Sequence, residues 1–227
     1  MSKNLFITGT GTEIGKTYVT ALIVKKLAET SESTAYFKAA MSGNEKRKDG
    51  SLIPGDALKV KTMSGIKQSL EEMCPYVYET AVSPHLASKI EGNPVDMKKV
   101  LYSFDKVSEK YEYVTIEGSG GILCPLRFDE QKISLEDFIK EKDFNCLMIA
   151  DAGLGTINSV VLTAEYMKNK NMNLVGIIFN HYQEGNILHE DNIFMCEYLT
   201  KLKVIAKVKD DDNDIDIKIE DLKSLYK

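Results

Sequence analysis

Leu5-Phe6-Ile7-Thr8-Gly9-Thr10-Gly11-Thr12-Glu13-Ile14-Gly15-Lys16-Thr17 is the stretch whose reading decides the fold. A short apolar run predicts a buried strand. A glycine- and threonine-rich turn follows, and Gly15-Lys16-Thr17 opens a helical pattern in which Val19, Ile23, Val24 and Leu27 recur on one side. Strand, glycine-rich turn and helix in that order form a phosphate-binding loop. Backbone N–H groups of such a turn converge on an anion, and the helix N-terminus adds partial positive charge. Lys16 has the reach for the outer phosphates, and the Thr17 hydroxyl suits Mg²⁺. The spacing is stretched: the common pattern places a glycine at position 10, whereas this chain has Thr10 and carries Gly9 one residue early.

Outward from this loop, strand-like runs recur at Thr34 to Lys38, Tyr113 to Glu117, Cys146 to Ala150, Leu174 to Phe179 and Lys203 to Val208. They are continuous rather than alternating, as strands covered on both faces are. Helical spacing follows in Val160, Val161, Ala164 and Met167, and again in Ile193, Cys196, Leu199 and Leu202. Ile219, Leu222 and Leu225 predict a last helix docked on the body. The alternation predicts an α/β fold of the P-loop NTPase type: a mostly parallel sheet with helices on both faces, in one domain over residues 1–227. Ligands of such sheets bind beyond the carboxyl ends of the strands. Residues 41–54, rich in Gly, Lys, Asp, Asn and Ser, read as a long mobile loop. The run Lys209-Asp210-Asp211-Asp212-Asn213-Asp214 reads as a solvated acidic loop without EF-hand spacing.

The net charge of -5 argues against broad nucleic-acid binding. Cys74, Cys124, Cys146 and Cys196 are scattered, as free thiols in a reducing compartment are. The three histidines lack metal-ligand spacing. The chain runs directly into a strand, and no apolar stretch reaches membrane-spanning length, so a cytoplasmic protein without membrane contact is expected.

Further polar clusters fall just after strands. Glu117-Gly118-Ser119-Gly120-Gly121 ends one strand in a carboxylate able to ligate Mg²⁺, followed by residues small enough for close backbone approach. Lys38 ends another strand, with Ser42-Gly43 beyond it, and could stabilise charge on a transferring phosphoryl group. Asp56 follows Gly55 at a helix start, where it either caps the helix or serves a metal. Gly153-Leu154-Gly155-Thr156-Ile157-Asn158 opens a helix, reading as an anion site or as ordinary capping by Thr156 or Asn158. Asn180, directly after Ile177-Ile178-Phe179, offers an amide suited to an adenine edge or to a turn.

Taken in order, these segments, with Ser83-Pro84-His85-Leu86-Ala87 between them, resemble the ATP-dependent dethiobiotin synthetases over residues up to about 180. The stretched loop is that family's form. The resemblance implies ATP as co-substrate with Mg²⁺, 7,8-diaminononanoate and CO₂ as the other substrates, and a homodimer with substrate at the subunit interface. It assigns catalytic roles to Lys16, Lys38 and Thr12. Nucleotide contacts fall to Glu13, Ile14, Gly15, Lys16, Thr17, Tyr18, Asp56, Glu117, Gly118, Ser119, Gly120 and Asn180. Thr17, Asp56 and Glu117 would hold the metal. Ser42 would face the substrate, joined by Leu154, Gly155, Thr156 and Asn158 from the other subunit. The family often has Asp at Gly11, Pro at Ala39, His at Ser159, and Gly-x-Ile-Pro where this chain has Ala206-Lys207-Val208-Lys209, a segment that lines the base. A partitioning-type ATPase switch is the alternative, but it would carry a second loop lysine at the position of Gly11. Amidating ligases of cobyrinate type would need a glutaminase domain that does not fit in this length.

Overall fold

The protein is described by a computed structural model over residues 2–30 and 33–227. Six strands form one sheet: β1 (Lys3–Gly9), β2 (Thr34–Phe37), β5 (Tyr113–Glu117), β8 (Asn145–Asp151), β9 (Asn173–Asn180) and β10 (Val204–Lys207). Their order is β10-β9-β8-β1-β5-β2, and every pairing is parallel. All six predicted strands are present. Two short antiparallel hairpins stand apart from the sheet: β3 (Glu45–Lys46) with β4 (Leu52–Ile53), and β6 (Pro125–Phe128) with β7 (Lys132–Ser134).

The pleat sends alternate residues of β1 to opposite faces. Leu5 and Ile7 pack with Val19, Leu22, Ile23 and Leu27 of α1 (Lys16–Ala28) and with Leu222 of α9 (Ile219–Ser224). Phe6, with Phe37 of β2 and Ile116 of β5, packs on the other face against α5 (Met97–Lys110) and α6 (Leu135–Lys142). Beyond β8, Met148, Ile177 and Phe179 meet Val160 and Ala164 of α7 (Thr156–Asn169) and Ile193 and Cys196 of α8 (Ile187–Thr200). Each such buried side chain contributes about 1.5–3 kcal/mol, so both faces of the sheet need their helices.

Three expectations are corrected. Residues 41–54 are not a free loop: they carry the β3–β4 hairpin, Met41 bridges to Val77, and Asn44 is buried. The Asn44 side chain accepts from Gly55 N–H (2.9 Å) and donates to the Tyr78 carbonyl (2.8 Å), so it anchors the start of α2 (Gly55–Ser64). Helix α8 is present but ends at Thr200, so the predicted helical pattern stops short of Leu202, and Leu199 is exposed. Asp56, Thr156 and Asn158 cap nothing with their side chains, since α2 and α7 begin at Pro54 and Gly155 without side-chain cap bonds. The remaining helices, α3 (Leu70–Met73) and α4 (Pro84–Ile90), flank the segment between α2 and α5.

Phe104 sits at the centre of the aromatic cluster, with ring centroids 5.5 Å from Phe37, 5.6 Å from Phe138 and 5.2 Å from Phe144. Phe104→Ala should therefore lower unfolding stability by about 3–5 kcal/mol. Urea unfolding followed by circular dichroism measures it, and a shift below about 1 kcal/mol would contradict this packing.

Candidate active site

Two glycines at the junction of β1 and α1 stand at close approaches. A Cβ on Gly9 would lie 2.6 Å from Ile14 Cδ1, and one on Gly15 would lie 2.0 Å from Asn180 Nδ2. Gly15 also has φ +79°, which favours glycine. Helix α1 begins at Gly15 without a side-chain cap and without an acid in its first turn. Its first N–H groups are thus left for an anion. Lys16 Nζ donates to the Gly11 carbonyl at 2.5 Å.

Beyond this turn, β2 and β5 deliver a buried ionic cluster. Lys38 Nζ lies 2.7 Å from Glu117 Oε1 and 2.7 Å from Asp56 Oδ2. Thr17 Oγ1 is 2.9 Å from Glu117 Oε1 and 3.2 Å from Asp56 Oδ1. Tyr36 donates its hydroxyl to Glu117 Oε2 at 3.1 Å. Burial opposes the Lys38 charge, but Glu117 and Asp56 outweigh it and hold the ammonium above the ordinary lysine value. Burial likewise pushes the Asp56 carboxyl up, yet the Lys38 charge and the Thr17 hydroxyl leave it below the usual aspartate range. Burial, reinforced by the neighbouring Lys38 charge, pulls Lys16 down to about 8.

Two cavities open at the carboxyl edge of the sheet. The first, about 610 Å³, is lined by Thr12, Glu13, Gly15, Lys16, Thr17 and Tyr18 of the turn and α1. Lys38, Asp56, Glu117 and Gly120 line it on the β2–β5 side, and Asn180, His181, Asp210 and Asp211 on the β9–β10 side. The second, about 890 Å³, adds Ser42, Ser83, His85, Ser119 and Cys124, among others. The two share Thr12, Glu13, Lys38, Asp56 and Gly120, so they meet along a wall that includes Lys38.

Most residues singled out in the sequence converge here. Ile14 and Gly118 line neither cavity: Ile14 gives its carbonyl to Asn180 Nδ2, and Gly118 packs against the Phe6 ring. The Ser119 hydroxyl is engaged by the Ala40 carbonyl at 2.8 Å. Leu154, Gly155, Thr156 and Asn158 lie outside both cavities, with Leu154 90% exposed. Lys59, His181, Asp210 and Asp211 enter the first cavity without having been singled out. The acidic run is solvent-exposed, as expected, but Asp210 and Asp211 also border the first cavity, and Tyr18 ties the run down by donating to the Asp212 carbonyl at 2.5 Å. A run of aspartates looks the same in sequence whether water or a cavity faces it.

Thr17, Asp56 and Glu117 supply hard oxygens close together, as Mg²⁺ requires. Among the described residues no group of three or more His, Cys, Asp or Glu gathers into a cage. Mg²⁺ is commonly held by one or two carboxylates together with substrate phosphates, so this set fits.

Fold and site together define a P-loop nucleotide-dependent enzyme with a parallel α/β sheet. The family model described as "AAA domain" matches residues 3–213. A protein of Brachyspira hyodysenteriae named ATP-dependent dethiobiotin synthetase BioD is 47% identical over 92% of this chain and 93% of its own. Those of Clostridium novyi (48%, covering 96% and 93%) and Clostridium botulinum strain Loch Maree (44%, covering 100% and 99%) carry the same name. The chain belongs to the ATP-dependent dethiobiotin synthetase family. Among solved structures, the MinC:MinD cell division complex of Aquifex aeolicus matches with a TM-score of 0.57 at 12% identity, covering 98% of this chain and 85% of that one. A ParA family ATPase from Chlorobium tepidum matches at 0.55 and 11%, covering 93% and 84%. These two share the fold alone, and the relatives' names do not favour the switch alternative.

The depressed Lys16 has a measurable consequence in the metal-free protein. Below pH 8 its ammonium is already charged, while above pH 8 an arriving phosphate must draw a proton onto it. ADP affinity should fall as pH rises beyond 8, with up to about one proton taken up per site at pH 9. Calorimetry in buffers of different ionisation enthalpy measures this, and binding without proton uptake at pH 9 would contradict it.

Proposed function

We propose that the chain, acting as one domain, is an ATP- and Mg²⁺-dependent dethiobiotin synthetase that closes a cyclic urea from 7,8-diaminononanoate and CO₂. The observation that carries the reading is the shared wall of the two cavities. A nucleotide in the first and a diamine in the second would meet at Lys38, where phosphoryl transfer needs positive charge.

One amine of the substrate takes up CO₂ and loses a proton, giving a carbamate. A carbamate oxygen attacks the γ-phosphorus of ATP, the bond to the bridging oxygen breaks, and ADP departs. The second amine then attacks the carbonyl carbon of the resulting carbamic-phosphoric anhydride. Phosphate leaves, a proton is lost, and the ring closes. Lys16 and Lys38 neutralise charge spreading over the transferring group. Thr12, on the shared wall, and Ser42, in the second cavity, orient the carbamate. Thr17, Asp56 and Glu117 would hold Mg²⁺, which supplies further charge neutralisation when bound. Exclusion of water on substrate binding would protect the anhydride from hydrolysis. Asn180 offers the adenine an acceptor, since its Oδ1 is buried with no partner.

The proposed dimer accounts for Leu154, Gly155, Thr156 and Asn158. They lie outside both cavities of their own chain, and Leu154 before α7, with Leu162 on α7 and Ile187, Phe194 and Tyr198 on α8, are exposed apolar side chains. The second copy would cover them and receive the α7 start at its substrate. A reducing cytoplasm suits the free Cys74, Cys124, Cys146 and Cys196.

Phosphate release from ATP should require both diamine and bicarbonate, with dethiobiotin formed in equal amount. Hydrolysis at full rate without the diamine would overturn the reading. Lys16→Ala should lower kcat by about 10²–10³-fold, measured by product formation under saturating substrates. Turnover near that of the unaltered protein would remove Lys16 from the reaction.

A further inference from the structure

His181 is among the cavity residues that the proposed reaction leaves unused. His181 follows Asn180 at the end of β9 and lines the first cavity opposite the Lys38 cluster, across β8 and β1. Its backbone has φ +55°, a left-handed conformation that histidine adopts more readily than most residues other than glycine. The next residue is pinned, because Tyr182 N–H donates to the Val208 carbonyl at 2.9 Å. The imidazole Nδ1 is 2.5 Å from Asp151 Oδ2. The other carboxylate oxygen, Oδ1, accepts from Gly153 N–H at 2.6 Å, so Asp151 is itself held from the far side.

This arrangement fixes the tautomer. A carboxylate only accepts, so Nδ1 must carry the hydrogen, and in the neutral ring Nε2 is left with a lone pair. Nε2 is 4.0 Å from Asp210 Oδ1, beyond hydrogen-bond reach. It also faces the helix start, 3.7 Å from where a Cβ of Gly15 would stand. A half-exposed ring, clamped on one nitrogen and open on the other, therefore points an acceptor into the cavity beside the buried, unpaired Asn180 Oδ1.

We propose that His181, oriented by Asp151, is a nucleotide-binding residue whose Nε2 accepts a hydrogen bond from a donor on the nucleoside. It rests on the first cavity being the nucleotide's. The nucleoside carries two kinds of donor, the ribose hydroxyls and the exocyclic amine of the base. Asp151 is a positioning residue: it touches no substrate in this assignment and acts through the ring.

Direct titration of the full-length protein with ATP and Mg²⁺ in the absence of diamine tests the assignment. His181→Gly removes the ring and suits the left-handed backbone, so its fold is retained. It should weaken ATP binding by about three- to tenfold, the worth of one hydrogen bond. Asp151→Asn keeps an acceptor for Gly153 N–H but turns an amide N–H₂ toward Nδ1, moving the ring hydrogen to Nε2. It should lose a similar factor, and ¹⁵N shifts of the imidazole should report the change of tautomer. Titrations with 2′-deoxy-ATP, 3′-deoxy-ATP and purine riboside triphosphate locate the donor. The analogue lacking it should bind the unaltered protein and His181→Gly equally. Equal ATP affinity of His181→Gly and the unaltered protein would overturn the proposal, and so would a loss that no analogue closes. Because no diamine is present, a protein that binds ATP but makes no dethiobiotin refutes the proposed reaction while leaving this test intact.

Discussion

The buried pair of Lys38 and Glu117 is the constraint on which the rest of the structure turns. Their side chains are 7% and 1% exposed, and removing two such charges from water costs several kcal/mol per ion. The pair is tolerable only because each end is fully engaged. Glu117 has Lys38 and Thr17 on one oxygen and Tyr36 on the other, while Lys38 also meets Asp56. That satisfaction demands β2 beside β5, β5 beside β1, and both α1 and α2 over their carboxyl ends. The order β1-β5-β2 meets this ionic requirement above the two apolar faces of the sheet.

The same constraint divides the site. β1 is the point where the chain changes direction across the sheet, with β5 and β2 on one side and β8, β9 and β10 on the other. Parallel sheets bind ligands at such a point. Here the β5–β2 side brings cations and metal-type oxygens, whereas the β9–β10 side brings an amide, an imidazole and carboxylates. A triphosphate suits the first set and a nucleoside the second, with the turn from Gly9 to Thr17 between them.

The sheet and the phosphate loop are legible in the sequence because their causes are local. A buried parallel strand needs a continuous apolar run, and the loop needs glycines at close approaches, which Gly9 and Gly15 show. What the sequence hides is set by partners far along the chain. Asn44 holds α2 through Gly55 and Tyr78, and no local pattern marks it as buried. Thr17 and Glu117 are separated by 100 residues. The acidic run becomes a cavity wall only because β10 delivers it beside β9. Some missed helices do carry local signals: Ser134 and Asp137 form a reciprocal capping box at the start of α6, and Asp96 caps α5.

Asn180 shows how a fixed donor determines what the remaining acceptor must do. Its Nδ2 is committed to the Ile14 carbonyl at 3.1 Å, so reversing the amide would set oxygen against oxygen. Oδ1 of this cavity-lining residue is thereby left buried and unpaired, at a cost of about 1–3 kcal/mol. On the proposed reading a donor on the base relieves that cost, and an acceptor in its place would add repulsion to desolvation. On that reading the β9 end selects amine-bearing bases by hydrogen-bond polarity, because it leaves one acceptor unsatisfied, whereas the β5 end, whose acids and lysine already satisfy one another, acts through charge.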